Sequence, residues 1–232
     1  QSDFDQFASD LSAAAAEGQQ FLFRSAASLL TSLANLPPQP ISSIEMGDIA
    51  RTPAGAIIVG SHVKKTTQQL KALLKLPDIV GIEVDVSRLV KAAKSSHKDL
   101  LTDVLTQVKN SHAKQKTPVI YTSREELVFA DMETRLALGE SISALLVDVV
   151  KGLPADIGFL ISKGGITSNN TLSKGLSLTS VRLIGQIIPG VSVVKMEKDH
   201  PQFPHLPVVV FPGNVGDDNA LALAYQRIAR RF

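Results

Sequence analysis

Short runs rich in Val and Ile alternate along this chain with longer amphipathic stretches, and this alternation limits the possible folds more than any other feature. Apolar runs of four or five residues are typical of strands, and the longer stretches have helical length and period. Strand followed by helix, repeated, predicts an α/β fold: a mostly parallel sheet with helices on both faces. The predicted strands cover residues 56–60, 80–84, 119–122, 159–162, 192–196 and 208–211, and the predicted helices cover residues 66–76, 98–114, 132–153, 170–178 and 217–231.

The N-terminal part of the chain has a different pattern. Residues 5–36 are alanine-rich, with apolar residues such as Leu29 and Leu33 at helical spacing, until Pro37 begins a proline-rich stretch. This pattern predicts an N-terminal helical segment followed by a proline linker. The expected organisation is therefore residues 1–40 as one part and residues 41–232 as a second, larger part.

Composition excludes several classes of function. The 24 Lys and Arg nearly balance the 22 Asp and Glu, so a net charge of +2 offers no field for a nucleic acid backbone. The absence of Cys excludes disulfides, thiolate catalysis and cysteine zinc sites. The longest apolar stretch, residues 142–150, is far shorter than the roughly 20 residues of a membrane span. With no signal-peptide pattern and Gln1 in first position, we expect a soluble, cytoplasmic piece of a longer polypeptide, with no nucleic acid or membrane partner.

Glycines and small hydroxyl residues recur in the loops that follow the predicted strands, where parallel sheets bind their ligands. Glycine lets the backbone approach a ligand closely, and successive N–H groups can then converge on phosphate oxygens. Two glycine loops in one sheet suggest a polyphosphate. Ordinary strand-to-helix turns, with Asn170 and Asp217 as N-caps, explain the same spacing equally well, because neither loop matches a P-loop or a dinucleotide fingerprint. The loops are residues 60–62, 122–125, 163–169 and 212–218.

Charged residues in these loops have both functional and structural interpretations. Lys163 is the best candidate for phosphate neutralisation, since it directly precedes the double glycine, whereas Lys64 and Lys65 fit a solvated helix start better. Asp217 and Asp218 could hold Mg²⁺ but are also common first-turn acids. For Arg124, a surface salt bridge with the neighbouring acids Glu125 and Glu126 is favoured over a catalytic pair. The five histidines lack metal-ligand spacing, and no esterase elbow is present.

Five ordered motifs give the chain a specific resemblance to a known family. Together they resemble the C-terminal nucleotide-binding domain of the four-carbon acid sugar kinase family, from about Phe21 to the end of the chain. The motifs are VGSHVKKTT at 59–67, YTSRE at 121–125, SKGGITS at 162–168, GQIIPG at 185–190 and VFPGNVGD at 210–217.

The resemblance implies an ATP-dependent kinase that acts on sugar acids such as tetronates or their oxo forms. It implies that residues 1–40 are the tail of a sugar-acid-binding domain with its linker, and that residues 41–232 are the nucleotide-binding domain. The sequence alone assigns no catalytic residue, and the expected cofactors are ATP and Mg²⁺. The resemblance places the ATP contacts on Ser61, Gly164, Gly165, Ile166, Thr167, Gly213 and Asn214, and the loop chemistry adds Lys163 and Gly216 as candidates.

Two departures from the family pattern limit what the chain is expected to do. The Asp-Asp-x-Thr-Gly segment associated with the sugar-acid site is absent, so we expect the donor half of a kinase, inactive alone. Asn170 stands where many relatives have Asp, which puts in doubt a carboxylate at that helix. A β-branched residue at Gly165 is expected to weaken nucleotide binding, both by filling phosphate space and by resisting positive φ.

The alternative function is a nucleotide-binding regulatory or interaction module without catalysis. Sequence upstream of Gln1 would separate the two, because an Asp-Asp-x-Thr-Gly segment there favours the kinase. A dinucleotide-dependent oxidoreductase is disfavoured, since no glycine fingerprint follows an early strand with an acid about 20 positions later. The expected partners are an adenine nucleotide and, in the full-length protein, a small sugar acid; a homodimer is a possible assembly.

Overall fold

The structure is a computed structural model that describes residues 2–35, 42, 45–91, 95–124 and 131–230. The chain divides into two compact units, Gln1–Pro40 and Ile41–Phe232. In the described ranges, no helix is both long enough and apolar enough to span a membrane.

The first unit contains two helices, so the helical segment predicted for residues 5–36 is broken rather than continuous. The break follows Gly18, whose φ of +95° is a left-handed conformation that glycine adopts at little cost and that commonly ends helices. The Ser32 hydroxyl donates a 2.6 Å hydrogen bond to the Asp5 carboxylate, which links the two helices. Pro37 and its neighbours lie outside the described residues. The helices are α1 (Ser2–Ala16) and α2 (Ala27–Leu33).

The second unit contains one seven-stranded sheet. Its strands are β1 (Ala56–Val59), β2 (Ile79–Val84), β3 (Thr117–Thr122), β4 (Leu160–Lys163), β5 (Arg182–Ile188), β6 (Val191–Lys195) and β7 (Pro207–Phe211). Its α-helices are α3 (Lys64–Leu73), α4 (Ser87–Lys91), α5 (Ser95–Ala113), α6 (Met132–Lys151), α7 (Gly165–Asn170) and α8 (Ala220–Ile228). A 3₁₀ helix covers Glu45–Ile49, and a π-helical turn, Thr171–Gly175, continues α7.

The strand order in the sheet is β2-β3-β1-β4-β7-β6-β5. Strands β2, β3, β1, β4 and β7 pair in parallel, while β6 and β5 pair antiparallel at one edge. The predicted mostly parallel α/β sheet is therefore confirmed. The four residues of the central strand β1 are all buried, as expected for a strand covered by helices on both faces.

Two hydrophobic cores lie on opposite faces of the sheet, because successive side chains of a strand alternate between faces. Ile58 of β1 packs in a core with Leu100 of α5 and Leu145 of α6. Its neighbour Ile57 packs in the other core with Leu73 of α3 and Leu221 of α8.

The structure differs from the sequence-based prediction in two elements near the glycine motifs. Strand β5 was not predicted; it is an edge strand of which two residues are buried, and Gly185, at a register shift, interrupts its apolar pattern. Helix α7 begins at Gly165, not at Asn170, so residues predicted as a loop form the first turn of a helix. Because glycine is a poor helix former, the sequence showed no sign of a helix that begins at Gly165.

Candidate functional site

The segment that follows β4 packs on one face of the sheet, whereas the helices that follow its neighbours β1 and β7 pack on the other face. After β1 it enters α3, and after β7 it enters α8; both helices pack in the same core. After β4 it enters α7 and its π turn, where Leu172 and Leu176 pack in the core on the other face. Such a switch point opens a crevice at the carboxyl ends of the strands, where α/β sheets bind ligands.

Three loops meet at this crevice: the Ser61 loop (residues 60–63), the Gly164 loop (163–167) and the Gly213 loop (212–216). The Gly164 N–H donates to the Phe211 carbonyl at 2.8 Å, which ties the ends of β4 and β7 together. A Cβ on Gly213 would lie 3.4 Å from Ser61 Oγ, and one on Gly164 would lie 3.1 Å from Ser61 Cβ. Both glycine loops therefore come within van der Waals distance of one serine.

The buried hydroxyl of Thr66 holds the Ser61 and Gly213 loops at this distance. Its Oγ1 lies 3.2 Å from Ser61 Oγ and donates to the Gly213 carbonyl at 3.1 Å. A substitution at Thr66 would therefore disturb both loops together.

The Gly164 loop exposes three main-chain donors. The first hydrogen bond of α7 runs from the Ser168 N–H to the Gly164 carbonyl, 2.8 Å, so the N–H groups of Gly165, Ile166 and Thr167 precede the helical ladder. No side chain caps this helix start. A Cβ on Gly165 would meet nothing within 4 Å, so the space beside this residue is open.

Positive φ occurs at the first glycine of this loop, not at the second. Gly164 has φ +119°, whereas Gly165 lies outside the left-handed region. The expectation that a β-branched residue at Gly165 would resist positive φ is therefore wrong. The steric part of that expectation is consistent with the open space at Gly165.

Lys163 is fully buried, and its ammonium contacts the main chain of the Gly213 loop. Nζ donates to the carbonyls of Pro212 at 2.6 Å and Gly213 at 3.2 Å, and it lies 4.1 Å from the centre of the Phe211 ring. Burial, and secondarily the charge of Lys65, lower the pKa of Lys163 to about 8. The side chain thus supports the Gly213 loop from inside the protein.

The far end of the Gly213 loop is held by helix α3. Lys65 Nζ donates to the Gly216 carbonyl at 2.9 Å, and Gln69 Nε2 donates to the carbonyls of Val215 at 2.9 Å and Asp217 at 2.7 Å. Gly216 has φ +80°, and a Cβ there would overlap Ala220. These contacts fix the far end of the loop, and Asn214 within it is exposed.

Arg124 is a site residue that the sequence did not reveal. Its Nη1 donates to the Ser61 carbonyl at 2.6 Å, while Nε and Nη2 donate to the carbonyl and hydroxyl of Thr122 at 2.9 and 3.0 Å. Burial is the main influence on the pKa of Arg124 and lowers it. The acids expected to pair with it, Glu125 and Glu126, lie outside the described residues.

Three cations of the site are held by main-chain carbonyls, and the charge of Glu83 raises the pKa of Arg124 against the larger effect of burial. Lys65, Lys163 and Arg124 all donate to main-chain carbonyls of the three loops, and none of them forms an ion pair with a carboxylate in the part of the chain that the structure describes. A low-dielectric surface with three cations and several free N–H donors is suited to an anion.

The acidic and amide candidates have different environments from those expected. Asp217 accepts a 2.9 Å hydrogen bond from the Asn219 N–H but is not the N-cap of α8, which is Asn219. Asp218 is exposed. Asn170 ends α7 instead of capping it, and its amide donates to Ser143 Oγ at 2.5 Å. Across the described ranges, no group of three or more His, Asp or Glu side chains could hold a metal ion.

Comparison with protein families gives one match. Residues 56–221 match the family model described as a nucleotide-binding C-terminal domain. That range contains every candidate site residue. No curated protein matches the chain.

Solved structures share the fold. A domain of unknown function (DUF1537) from Bordetella bronchiseptica, a domain-swapped dimer with bound citrate, superposes with a TM-score of 0.60 at 19% identity over 89% of this chain and 46% of that chain. A second crystal form gives a TM-score of 0.52 at 17% identity, with 89% and 44% covered. A Salmonella typhimurium LT2 protein with a provisional tRNA synthase assignment gives a TM-score of 0.59 at 17% identity, with 89% and 45% covered. The chain spans just under half the length of these proteins.

Proposed function

The chain belongs to the family of nucleotide-binding C-terminal domains, and from that premise we propose that it is the ATP-binding half of a small-molecule kinase. The acceptor in this proposal is a four-carbon sugar acid, a tetronate or oxo-tetronate. The motif resemblance to the four-carbon acid sugar kinase family and the fold shared with DUF1537 proteins support it. The proposed setting is the cytoplasm, where ATP is available.

One observation carries the proposal: two glycine loops and Ser61 converge at a switch point whose cations form no ion pair with any carboxylate that the structure describes. A triphosphate has the charge and the acceptor oxygens that this arrangement lacks. In the proposal, the N–H groups of Gly165, Ile166 and Thr167 bind one phosphate, while Ser61, Gly213 and Asn214 contact the next. Lys163 and Gly216 act as the inner support of the Gly213 loop.

Phosphoryl transfer demands little covalent chemistry from the protein, so positioning and charge neutralisation can supply most of the catalysis. The three loops would hold the donor in line, and their N–H groups would stabilise charge on the transferred group. The Ser61, Lys163 and Arg124 contacts keep these donors in place before the nucleotide arrives. Preorganised donors of this kind do not have to reorient during the reaction.

Mg²⁺ fits the site as a companion of the nucleotide rather than as a resident ion. Mg²⁺ is commonly held by one or two carboxylates together with substrate phosphates and water. Asp218 is exposed beside Gly216 and has the appropriate oxygen ligands, whereas the Asp217 carboxylate already accepts a main-chain hydrogen bond. Bound Mg²⁺ would neutralise charge on the phosphates.

The acceptor half of the reaction is proposed to lie in the part of the relatives that this chain does not cover. The chain matches under half of their length. It would therefore bind nucleotide but not phosphorylate an acceptor by itself. Appreciable turnover of a tetronate by the chain alone would contradict this division of roles.

Calorimetric titration of the chain with ADP, ATP and NAD, with and without Mg²⁺, tests the proposal. We expect saturable binding of ADP and ATP that responds to Mg²⁺, and no binding of NAD. Absence of binding with every adenine nucleotide would refute a nucleotide site. An Asp218→Asn variant should reduce the response to Mg²⁺, with Asp217→Asn as the matched comparison.

A further inference from the structure

A partly enclosed cleft of about 200 Å³ lies between α6 and α7, beside the loops already described. Ile142, Leu146 and Val147 of α6 form one wall, and Ile166 of α7 contributes to the other. Ile166 is 79% exposed, which is unusual for a large apolar side chain and leaves its surface available to a ligand. The cleft can therefore receive a flat apolar group.

The cleft is continuous with the proposed phosphate site. Gly60 and His62 of the Ser61 loop and Thr167 of the Gly164 loop line its inner end. A Cβ on Gly60 would overlap Thr167 Oγ1, so glycine at this position lets the Ser61 loop and the Gly164 loop pack directly against each other. Because residues of both loops line the cleft, a ligand with phosphates on the Gly164 loop can also contact the cleft.

The polar groups of the cleft suit an uncharged nucleobase and not a carboxylate. Among the described residues that line the cleft, His62 alone is ionisable, so a carboxylate in the cleft would have no lysine or arginine partner there. Asn170 donates one N–H to Ser143 Oγ, which leaves its carbonyl oxygen and second N–H for a ligand. An asparagine amide matches the adjacent donor and acceptor on one edge of adenine.

We propose that this cleft binds the adenine base of the nucleotide, with Asn170 as the residue that reads its edge. The inference rests on the proposed function, because the phosphates of the same nucleotide must occupy the glycine loops. It adds a base site that contributes affinity and selectivity independently of the phosphate contacts.

A variant that fills the cleft provides the test. Gly139 lines the cleft on α6, and a Cβ there would meet nothing within 4 Å, so the backbone accepts a side chain at this position and Gly139→Leu adds one beside the cleft. Ala144→Leu, at an exposed position of the same helix outside the cleft, is the matched control. Calorimetry with ADP and with inorganic tripolyphosphate separates base binding from phosphate binding.

We expect Gly139→Leu to weaken ADP binding about tenfold and to change tripolyphosphate affinity by less than about twofold, while Ala144→Leu alters neither. Asn170→Leu should bring the affinities for ADP and GDP close together.

Unchanged ADP affinity in Gly139→Leu, or an equal loss of affinity for ADP and tripolyphosphate, would overturn the base site. Wild-type protein that binds tripolyphosphate as tightly as ADP would also overturn it, yet leave the phosphate site intact. Wild-type protein that binds neither would refute the proposed function itself.

Discussion

Lys163 and Pro212 are joined across the ends of two neighbouring strands by a 2.6 Å hydrogen bond from the lysine ammonium to the proline carbonyl. A second bond reaches the Gly213 carbonyl at 3.2 Å. Because Lys163 is fully buried, this cation links β4 to the loop after β7 from within the sheet. The position of the Gly213 loop therefore depends on one side chain of the neighbouring strand.

Lys163→Met should reduce nucleotide affinity with little effect on stability. The substitution relieves the desolvation of an ammonium but removes the donor of two carbonyls, and these effects oppose each other. We expect the free energy of unfolding in urea to change by less than about 1 kcal/mol, and ADP affinity to fall about tenfold. Lys64→Met, at an exposed lysine of α3, should change neither quantity. Wild-type affinity in Lys163→Met would show that the loop does not need this support.

Nucleotide binding should weaken as pH rises through about 8, the lowered pKa of Lys163. A bound polyphosphate favours the protonated ammonium, so affinity is highest below that pH and declines above it. The unfolding free energy, in contrast, should increase over the same pH range. The folded state loses the proton near pH 8 and the unfolded chain near its ordinary pKa of 10.5, so the unfolding free energy rises across that interval. Both trends should be absent from Lys163→Met in calorimetry and urea unfolding between pH 7 and about 10.

The two adjacent glycines of the Gly164 loop should respond differently to substitution. Gly164→Ala forces a Cβ into a φ of +119° and within 3.1 Å of Ser61, so we expect a loss of about 1–3 kcal/mol in unfolding free energy. Gly165→Val meets open space, so it should leave stability nearly unchanged but weaken ADP binding about tenfold. Thermal unfolding and ADP titration of both variants separate fold from ligand contact. If Gly165→Val bound ADP as tightly as the wild type, the phosphate would not bind at this turn.

The sequence allowed the meeting of the glycine loops to be predicted, because the carboxyl ends of neighbouring parallel strands lie at one edge of the sheet. It did not predict which glycine carries the left-handed φ. That depends on where α7 begins, and the helix start at Gly165 has no capping side chain to mark it. Strand β5 was missed for a related reason: an exposed edge strand with an internal glycine lacks the buried pattern of the other strands.

Arg124→Lys should weaken nucleotide binding several-fold despite the retained charge. The guanidinium makes three hydrogen bonds, to the Ser61 carbonyl and to two groups of Thr122, and a lysine ammonium cannot reproduce this planar arrangement. We expect a higher ADP dissociation constant by calorimetry. Arg88→Lys, at an exposed arginine paired with Asp103, is the control and should bind normally. Equal affinity of Arg124→Lys and wild type would exclude a positioning role for the guanidinium.

The contribution of Arg124 could not have been read from the sequence. Its nearest charged neighbours along the chain, Glu125 and Glu126, favour a local salt bridge. The contact with Ser61 joins residues 63 positions apart and exists only because β3 and β1 are adjacent in the sheet. The contacts of Lys65 and Gln69 could not be predicted for the same reason, because their partners in the Gly213 loop follow about 150 positions later in the chain.

In the described ranges, the cations around the crevice donate to carbonyl oxygens and form no ion pair with a carboxylate. A carbonyl oxygen has no net charge, so it orients an ammonium or guanidinium group without cancelling its field. An arriving phosphate would therefore displace water from these cations, with no ion pair among the described residues to break beforehand. Its attraction to the protein would also persist until it is bound, since among the residues that the structure describes none of these three cations forms an ion pair with a carboxylate.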